Sequence, residues 1–185
     1  GTASVSAEQH TNISELRAAY YFNALKFTHW PDGYIAEQEP LNIMLVGRDP
    51  VSSILAEKLP SYLIKGHKLS ITSLTQNQID QQAGERLLDK AHAIYFANNT
   101  QENYPRILKK LTHPALTGSS IEDFATHGGM VEIAFEPKQQ KLNFHINTIN
   151  LKQSRISISS TLMKISTIVS DNISNNEEPS FKLDP

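Results

Sequence analysis

The chain has no cysteine. It therefore forms no disulfide, holds no zinc through thiolates and has no cysteine nucleophile. Seven histidines are present, but no two of them stand two or four positions apart, so the sequence contains no local pair of histidine metal ligands. We expect neither a metal nor a cofactor.

Long apolar runs and a strong charge of one sign are also missing. No window approaches the roughly 20 apolar residues that a membrane-spanning helix needs. Seventeen basic and nineteen acidic side chains give a net charge of −2, and no Lys/Arg cluster marks a nucleic-acid surface. Because 39% of the 185 residues are hydrophobic, the chain can bury a core, and its length suits one domain.

Buried-strand and helix patterns alternate along the chain. Apolar residues at helical spacing predict a helix over residues 13–27. Continuous apolar runs at residues 41–47 and 91–98 predict strands covered on both faces. Asp49 is placed to cap the next helix, with Pro50 at its first position. We therefore predict an α/β fold, layered, with a mostly parallel sheet flanked by helices.

A C-terminal antiparallel hairpin is predicted at about residues 130–147. Apolar residues recur at every second position on both sides of a polar loop. The register that places Glu136 opposite Lys141 puts all of them on one face, and a slip of one residue would expose them to water. This register also places Glu132 opposite His145 on the other face, which we expect to be solvated.

The two ends of the chain are predicted to lie outside the domain. Apolar residues at helical spacing predict a helix within residues 157–170. We expect a single domain over residues 12–171, an N-terminus at 1–11 that is disordered or a remnant of expression, and a polar flexible tail at 172–185.

Two glycine sites raise the question of phosphate binding. Gly128 and Gly129 precede a strand, whereas phosphate loops follow one, so a turn is favoured. Gly47 follows a buried strand but lacks both G-x-G-x-x-G and G-K-[ST], so a capped turn is favoured there too. Arg48 nonetheless lies at the carboxyl edge of a parallel strand, where open α/β sheets usually bind ligands.

Catalytic motifs are scarce in this sequence. The segment around Ser119 lacks the G-x-S-x-G elbow of a hydrolase nucleophile. A hydrolase would need the fold to unite Ser119, Asp123 and His127. We expect no catalytic residue and a protein that is not an enzyme.

Three blocks of the sequence occur in the order and at the spacing of one family. The block Ala18–Pro31 matches an opening helix, and Leu41–Pro50 fits a strand that ends in G-x-D-P. The matching residues of the first and the closing block are Tyr21, Asn23, Lys26, Phe27, Trp30, Pro31, Gly128, Gly129, Met130, Phe144, Ile146, Asn147, Ser159, Ser160 and Leu162. From about Ala18 to Ser170, the chain resembles the YfiR/HmsC-type regulators.

The resemblance implies a regulator rather than an enzyme. Members of that family are periplasmic α/β proteins that tend to dimerise. They repress a membrane-anchored diguanylate cyclase by binding its periplasmic sensory domain, which lowers cyclic-di-GMP signalling and biofilm formation. We therefore expect a periplasmic homodimer, its signal peptide removed, with no nucleic-acid partner and no direct membrane insertion. Family members often carry cysteine pairs, and their absence here excludes a thiol switch in this chain.

Five residues are candidate contacts for the partner or for a ligand. They are Trp30, Arg48, Asp49, His145 and Arg155. Trp30 mainly ends the first helix, but an exposed tryptophan there would be a partner contact. The alternative function is a module that senses a small ligand, with its pocket at the carboxyl ends of the strands near Arg48 and Asp49.

Overall fold

The structure is a computed structural model that describes residues 2–172, with side chains described from residue 13. The predicted tail at 172–185 lies outside the described residues from residue 173 onward. The helices are α1 (Thr2–Lys26), α2 (Pro50–Lys58), α3 (Gln76–Ile79), α4 (Gln82–Asp89), α5 (Tyr104–Lys110), α6 (Thr148–Gln153) and α7 (Ser160–Met163). The strands are β1 (Thr28–His29), β2 (Leu41–Val46), β3 (Leu63–Ile64), β4 (His67–Leu74), β5 (Ala93–Phe96), β6 (Leu116–Ser119), β7 (Val131–Glu136), β8 (Lys141–Asn147), β9 (Ser157–Ile158) and β10 (Thr167–Val169).

Eight strands form one sheet in the order β10-β8-β7-β6-β5-β2-β4-β3. The five strands β4, β2, β5, β6 and β7 run parallel to one another, whereas β8 runs antiparallel to β7 and β3 antiparallel to β4. Counted along the chain, the parallel strands lie in the order 2-1-3-4-5, which is a doubly wound arrangement. The predicted α/β fold with a mostly parallel sheet is therefore confirmed. Strands β1 and β9 form a separate antiparallel pair.

Apolar cores lie on both faces of this sheet. On one face, Tyr21 and Leu25 of α1 and Leu55 of α2 pack against β2, β5, β7 and β8. On the other face, Ile107 of α5 and Phe124 pack with side chains of α3 and α4. Residues of β2 alternate between the two cores, which explains why its sequence is continuously apolar.

The hairpin of β7 and β8 has the predicted register. Glu136 pairs with Lys141, and Glu132 pairs with His145. Gly129 just before the hairpin has no room for a side chain, because a Cβ there would overlap the ring of Phe124. The two glycines therefore serve a turn, as the sequence favours.

The predicted helix within residues 157–170 is wrong beyond Met163. The segment forms β9, the short helix α7 and then β10, which pairs in parallel with β8. All three residues of β10 are β-branched, which favours a strand, and they satisfy backbone groups on the outer edge of β8. The apolar residues that stand at helical spacing in this segment therefore belong to separate elements and not to one helix.

Helix α1 begins earlier than the sequence predicts. It starts at Thr2 rather than near residue 13 and so includes most of the segment 1–11 that we expected to be disordered. Once a helix is nucleated, each added residue gains a backbone hydrogen bond, and residues 2–12 contain neither glycine nor proline to stop it. The bounds of the domain stay a prediction.

Candidate functional site

A crevice of about 720 Å³ lies at the carboxyl edge of the sheet. Its walls are the loop after β2, the exposed side of α2, the loop after β4, and Asn99 in the loop after β5. The chain after β2 turns to one face of the sheet and the chain after β5 to the other, so this is the switch point of the doubly wound order. Ligands of open α/β sheets usually bind at this position.

Asp49 connects the loops beside this crevice and is itself buried. Its Oδ1 atom accepts the backbone N–H of Ser52 at 2.7 Å and caps α2, as predicted. Its Oδ2 atom accepts the backbone N–H of Asn98 at 2.8 Å and the hydroxyl of Tyr95 at 3.2 Å. Both oxygens therefore accept hydrogen bonds within the protein, and a ligand contact by Asp49 stays a prediction.

Further hydrogen bonds join the crevice loops. The backbone N–H of Gly47 donates to Leu74 O at 2.8 Å, and that of Arg48 donates to Asn99 Oδ1 at 2.9 Å. Gly47 has a positive φ of 81°, and a Cβ at this position would overlap the side chains of Asn99 and Thr100. The glycine thus permits the close approach that fixes the crevice loops to one another.

Arg48 lines the crevice with an exposed side chain, as the sequence predicts for the carboxyl edge. The guanidinium forms no ion pair within the described part of the chain. Glu57, a lining residue on α2, is exposed and likewise forms no ion pair with a described residue. The crevice therefore presents one positive and one negative charge that the fold does not use.

Trp30 lies at the opposite, amino edge of the sheet. Its Nε1 atom donates to the backbone carbonyl of His92 at 2.9 Å, and the side chain is half-buried. The Nδ1 atom of His92 in turn accepts the backbone N–H of Asn42 at 2.8 Å, and burial lowers the pKa of His92. The hydrogen bonds of the indole and the imidazole at this edge serve the fold, and a partner contact by Trp30 stays a prediction.

Arg155 also lies away from the crevice, directly after α6. Its φ of 60° is left-handed, and its backbone N–H donates to Lys152 O at 2.9 Å. These features are those of a residue that ends a helix. The exposed side chain lines a smaller cavity of about 170 Å³.

The expectation that Glu132 lies on a solvated face is wrong. Its residue surface is 3% exposed, because the turn of 3-10 helix at Phe124–Thr126 covers this side of β7. Its two carboxylate oxygens accept the backbone N–H groups of Asp123 at 3.1 Å and Ala125 at 3.0 Å. Burial raises the pKa of Glu132 above its ordinary value.

His145 lies between two carboxylates on this face. Its Nδ1 atom is 4.0 Å from Glu132 Oε2, and its Nε2 atom is 3.1 Å from Glu136 Oε1. The hydrogen bond from His145 lowers the pKa of Glu136. Asn143 donates to Thr167 at 2.8 Å and so connects the same face to β10. His145 belongs to a network that holds the hairpin.

The structure does not build the triad that a hydrolase would need. The Oγ atom of Ser119 is buried and donates to Phe96 O at 2.7 Å. His127 Nδ1 lies 2.9 Å from the backbone carbonyl of Asp123, not from its carboxylate. Within residues 13–172, no cluster of His, Asp and Glu side chains is arranged to hold a metal ion.

The five predicted site residues thus occupy separate places: Arg48 and Asp49 at the carboxyl edge, Trp30 and Arg155 at the amino side, and His145 on the hairpin. The sequence prediction missed Glu57 and Asn99 in the crevice. Glu57 stands four positions after Ser53 on one side of α2, and Asn99 follows a predicted strand, so both positions carried a usable signal.

An apolar groove lies on the helical surface between α1 and α2. Its volume is about 210 Å³, and its lining includes Ala19, Phe22, Ile54 and Tyr62. The rings of Phe22 and Tyr62 are 4.9 Å apart, and 49% of the Tyr62 surface is exposed. Across the described residues, no helix is long and apolar enough to cross a membrane.

The strand order and the two faces of helices define a doubly wound α/β protein with a crevice at its carboxyl edge. A family model described as YfiR/HmsC-like matches residues 14–167. The match includes the opening helix, the strand before Arg48 and the C-terminal hairpin, so the chain belongs to the YfiR/HmsC-like family. This family is regulatory rather than catalytic. No curated protein matches the chain.

Proposed function

We propose that this protein is a periplasmic repressor of a membrane-anchored diguanylate cyclase. It binds the periplasmic sensory domain of the cyclase and thereby lowers cyclic-di-GMP synthesis and biofilm formation. The observation that carries the proposal is the family match over residues 14–167. The proposed action requires no catalytic step by this chain.

Repression by binding needs a stiff body and a surface that prefers the inactive state of the partner. The doubly wound sheet with a core on each face supports the first requirement. Two exposed apolar areas support the second. One is the groove with Tyr62, and the other is the sheet edge at Ile168, whose surface is 50% exposed.

The test is a calorimetric titration of the full chain with the purified periplasmic domains of the membrane-anchored diguanylate cyclases of the same organism. We expect a complex at micromolar concentrations, and no heat of binding at these concentrations would contradict the proposal. The matched variants Tyr62→Glu and Ile168→Glu place a charge on one apolar area each. Loss of binding in one variant alone would locate the contact.

We also propose that the protein is a homodimer. The support for this proposal is the tendency of YfiR/HmsC-type regulators to form dimers. Light scattering of the purified chain across a dilution series tests this proposal, and a monomer mass at all concentrations would contradict it.

A second candidate function is the sensing of a small ligand, which the crevice beside Arg48 favours. It is compatible with repression, because a ligand that prefers one state could tune partner binding. A thermal shift on adding a metabolite tests this function. The shift should disappear in an Arg48→Ala variant.

A further inference from the structure

We propose that the carboxyl-edge crevice binds a short peptide by its two free termini. In this arrangement Arg48 binds the terminal carboxylate and Glu57 binds the terminal ammonium group. The inference names the ligand class of the second candidate function and rests on it. It does not require repression of a cyclase.

The argument begins with the two unused charges. Arg48 and Glu57 both line the crevice, both are exposed, and neither forms an ion pair within the described side chains. A guanidinium matches the planar geometry of a carboxylate, and a carboxylate accepts strong hydrogen bonds from an ammonium group. A ligand with one negative and one positive group can pair with both Arg48 and Glu57.

The spacing of Arg48 and Glu57 along the axis of α2 guides the length of ligand that we propose. Nine positions separate Arg48 from Glu57, and α2 fills most of this interval, so their backbones are roughly 13 Å apart along the helix axis. An extended peptide advances about 3.3–3.6 Å per residue, so three or four residues span the interval.

The wall between the charges suits a peptide backbone. Ser53, Ser73, Asn77 and Asn99 offer hydroxyl and amide groups along the crevice. No aromatic side chain is found among its described lining residues, which favours small side chains in the ligand. The volume of about 720 Å³ is within the range of small-ligand sites.

The crevice is also held in place before a ligand arrives. Asp49 joins α2 to the loop after β5, and the backbone bonds of Gly47 and Arg48 join the loops after β2, β4 and β5. A site whose walls are already fixed loses less conformational entropy on binding. Binding should therefore need little movement of the backbone.

The test is calorimetric titration of the full chain with tri-L-alanine, compared with the same peptide acetylated and amidated at its ends. We expect the free peptide to bind at least about tenfold more tightly than the blocked peptide, because blocking removes both charge-assisted contacts. Arg48→Gln and Glu57→Gln should each weaken binding of the free peptide by about tenfold. Lys58→Gln, an exposed neighbour that does not line the crevice, is the control and should leave binding unchanged.

A second comparison separates the two ends of the ligand. Glu57→Gln should weaken the free peptide but not a peptide acetylated only at its N-terminus, as a double-mutant cycle requires. Equal binding of free and blocked peptides would overturn the proposal, as would no binding of tri-L-alanine at about 10 mM. Failure to bind the cyclase domain would leave this result unaffected, because the readout is peptide binding alone.

Discussion

Two buried carboxylates, those of Asp49 and Glu132, use the same chemistry in different parts of the molecule. Each accepts two backbone N–H groups and so fixes a loop to an adjacent element. Asp49 holds the start of α2 and the loop after β5. Glu132 holds the 3-10 turn at Phe124–Thr126 against β7.

The surroundings of the two carboxylates differ. Asp49 stands beside an open crevice whose lining charges, Arg48 and Glu57, make no ion pair with the described residues. Glu132 is closed in, because His145 is near one of its oxygens and Glu136 lies beyond that histidine. The charged groups on this side of the hairpin are thus used within the fold.

The residues that make the backbone rigid are therefore different from the residues whose charges are unpaired. In both regions a buried carboxylate fixes the backbone, but at the carboxyl edge the charged side chains of Arg48 and Glu57 have no ion-pair partner among the described residues. We therefore expect the binding residues among exposed polar side chains rather than among those whose hydrogen bonds hold the fold.

The largest expected effect is that of Asp49→Ala. The change removes the cap of α2 and leaves the N–H of Asn98 without its acceptor, so we expect a loss of about 2–4 kcal/mol in the free energy of unfolding. Urea denaturation followed by circular dichroism measures it. Asp32→Ala, at an exposed position, is the matched control and should change stability by less than about 0.5 kcal/mol. Similar losses of unfolding free energy in both variants would contradict a structural role for Asp49.

Glu132→Gln is expected to change the dependence of stability on pH. Burial raises the folded-state pKa of Glu132 above its ordinary 4.5, so its contribution to stability is complete below that pH and is lost as pH rises through the folded pKa. The amide does not titrate. We therefore expect the free energy of unfolding of the variant to fall less between pH 4.5 and neutrality than that of the unaltered chain.

Urea denaturation at several pH values measures this difference. Replacing one acceptor oxygen by an amide group should also cost about 1 kcal/mol at pH values where the carboxyl is neutral. The pKa of Glu136 is lowered, so its own effect falls below pH 4.5 and outside this window. If the free energy of unfolding changed with pH in the same way in both proteins, the folded-state pKa of Glu132 would not be raised and the prediction would be wrong.

The same two residues show how far the sequence could predict this structure. The role of Asp49 was predictable, because an aspartate before a proline at a helix start is a local signal. The strand pairing of Glu132 was also predictable from period-two alternation, but its burial was not. The turn that covers it comes from another part of the chain, and alternation cannot reveal such a contact.

Long-range contacts also explain the other differences. The β10 strand pairs with the edge of β8, whereas the apolar spacing of its segment alone predicted a helix. In the candidate site, the position of Arg48 followed from strand order and edge rules. Glu57 was missed although it stands four positions after Ser53 on one side of α2, because the sequence prediction looked only at the loop after the strand.

A smaller effect is expected for Trp30→Phe at the amino edge. A smaller aromatic ring replaces the indole, which removes the hydrogen bond from Nε1 to His92 O and part of the packing of Trp30 against the core. We expect a loss of about 1 kcal/mol in the free energy of unfolding, well below that of Asp49→Ala. Because Trp30 is the only tryptophan of the chain, circular dichroism must replace fluorescence in the urea titration. A loss as large as that of Asp49→Ala would place a third anchoring site at this edge.

The smallest expected effect on stability is that of Arg48→Ala. The guanidinium is exposed and forms no ion pair within residues 13–172, whereas the backbone N–H that binds Asn99 is kept in the variant. We expect a change within about 0.5 kcal/mol by urea denaturation, as for surface sites in general. The same variant should bind the free peptide about tenfold more weakly, so that binding changes while stability does not. If Arg48→Ala instead destabilised the fold as strongly as Asp49→Ala, the arginine would serve the fold, and the contrast between the crevice and the hairpin would fail.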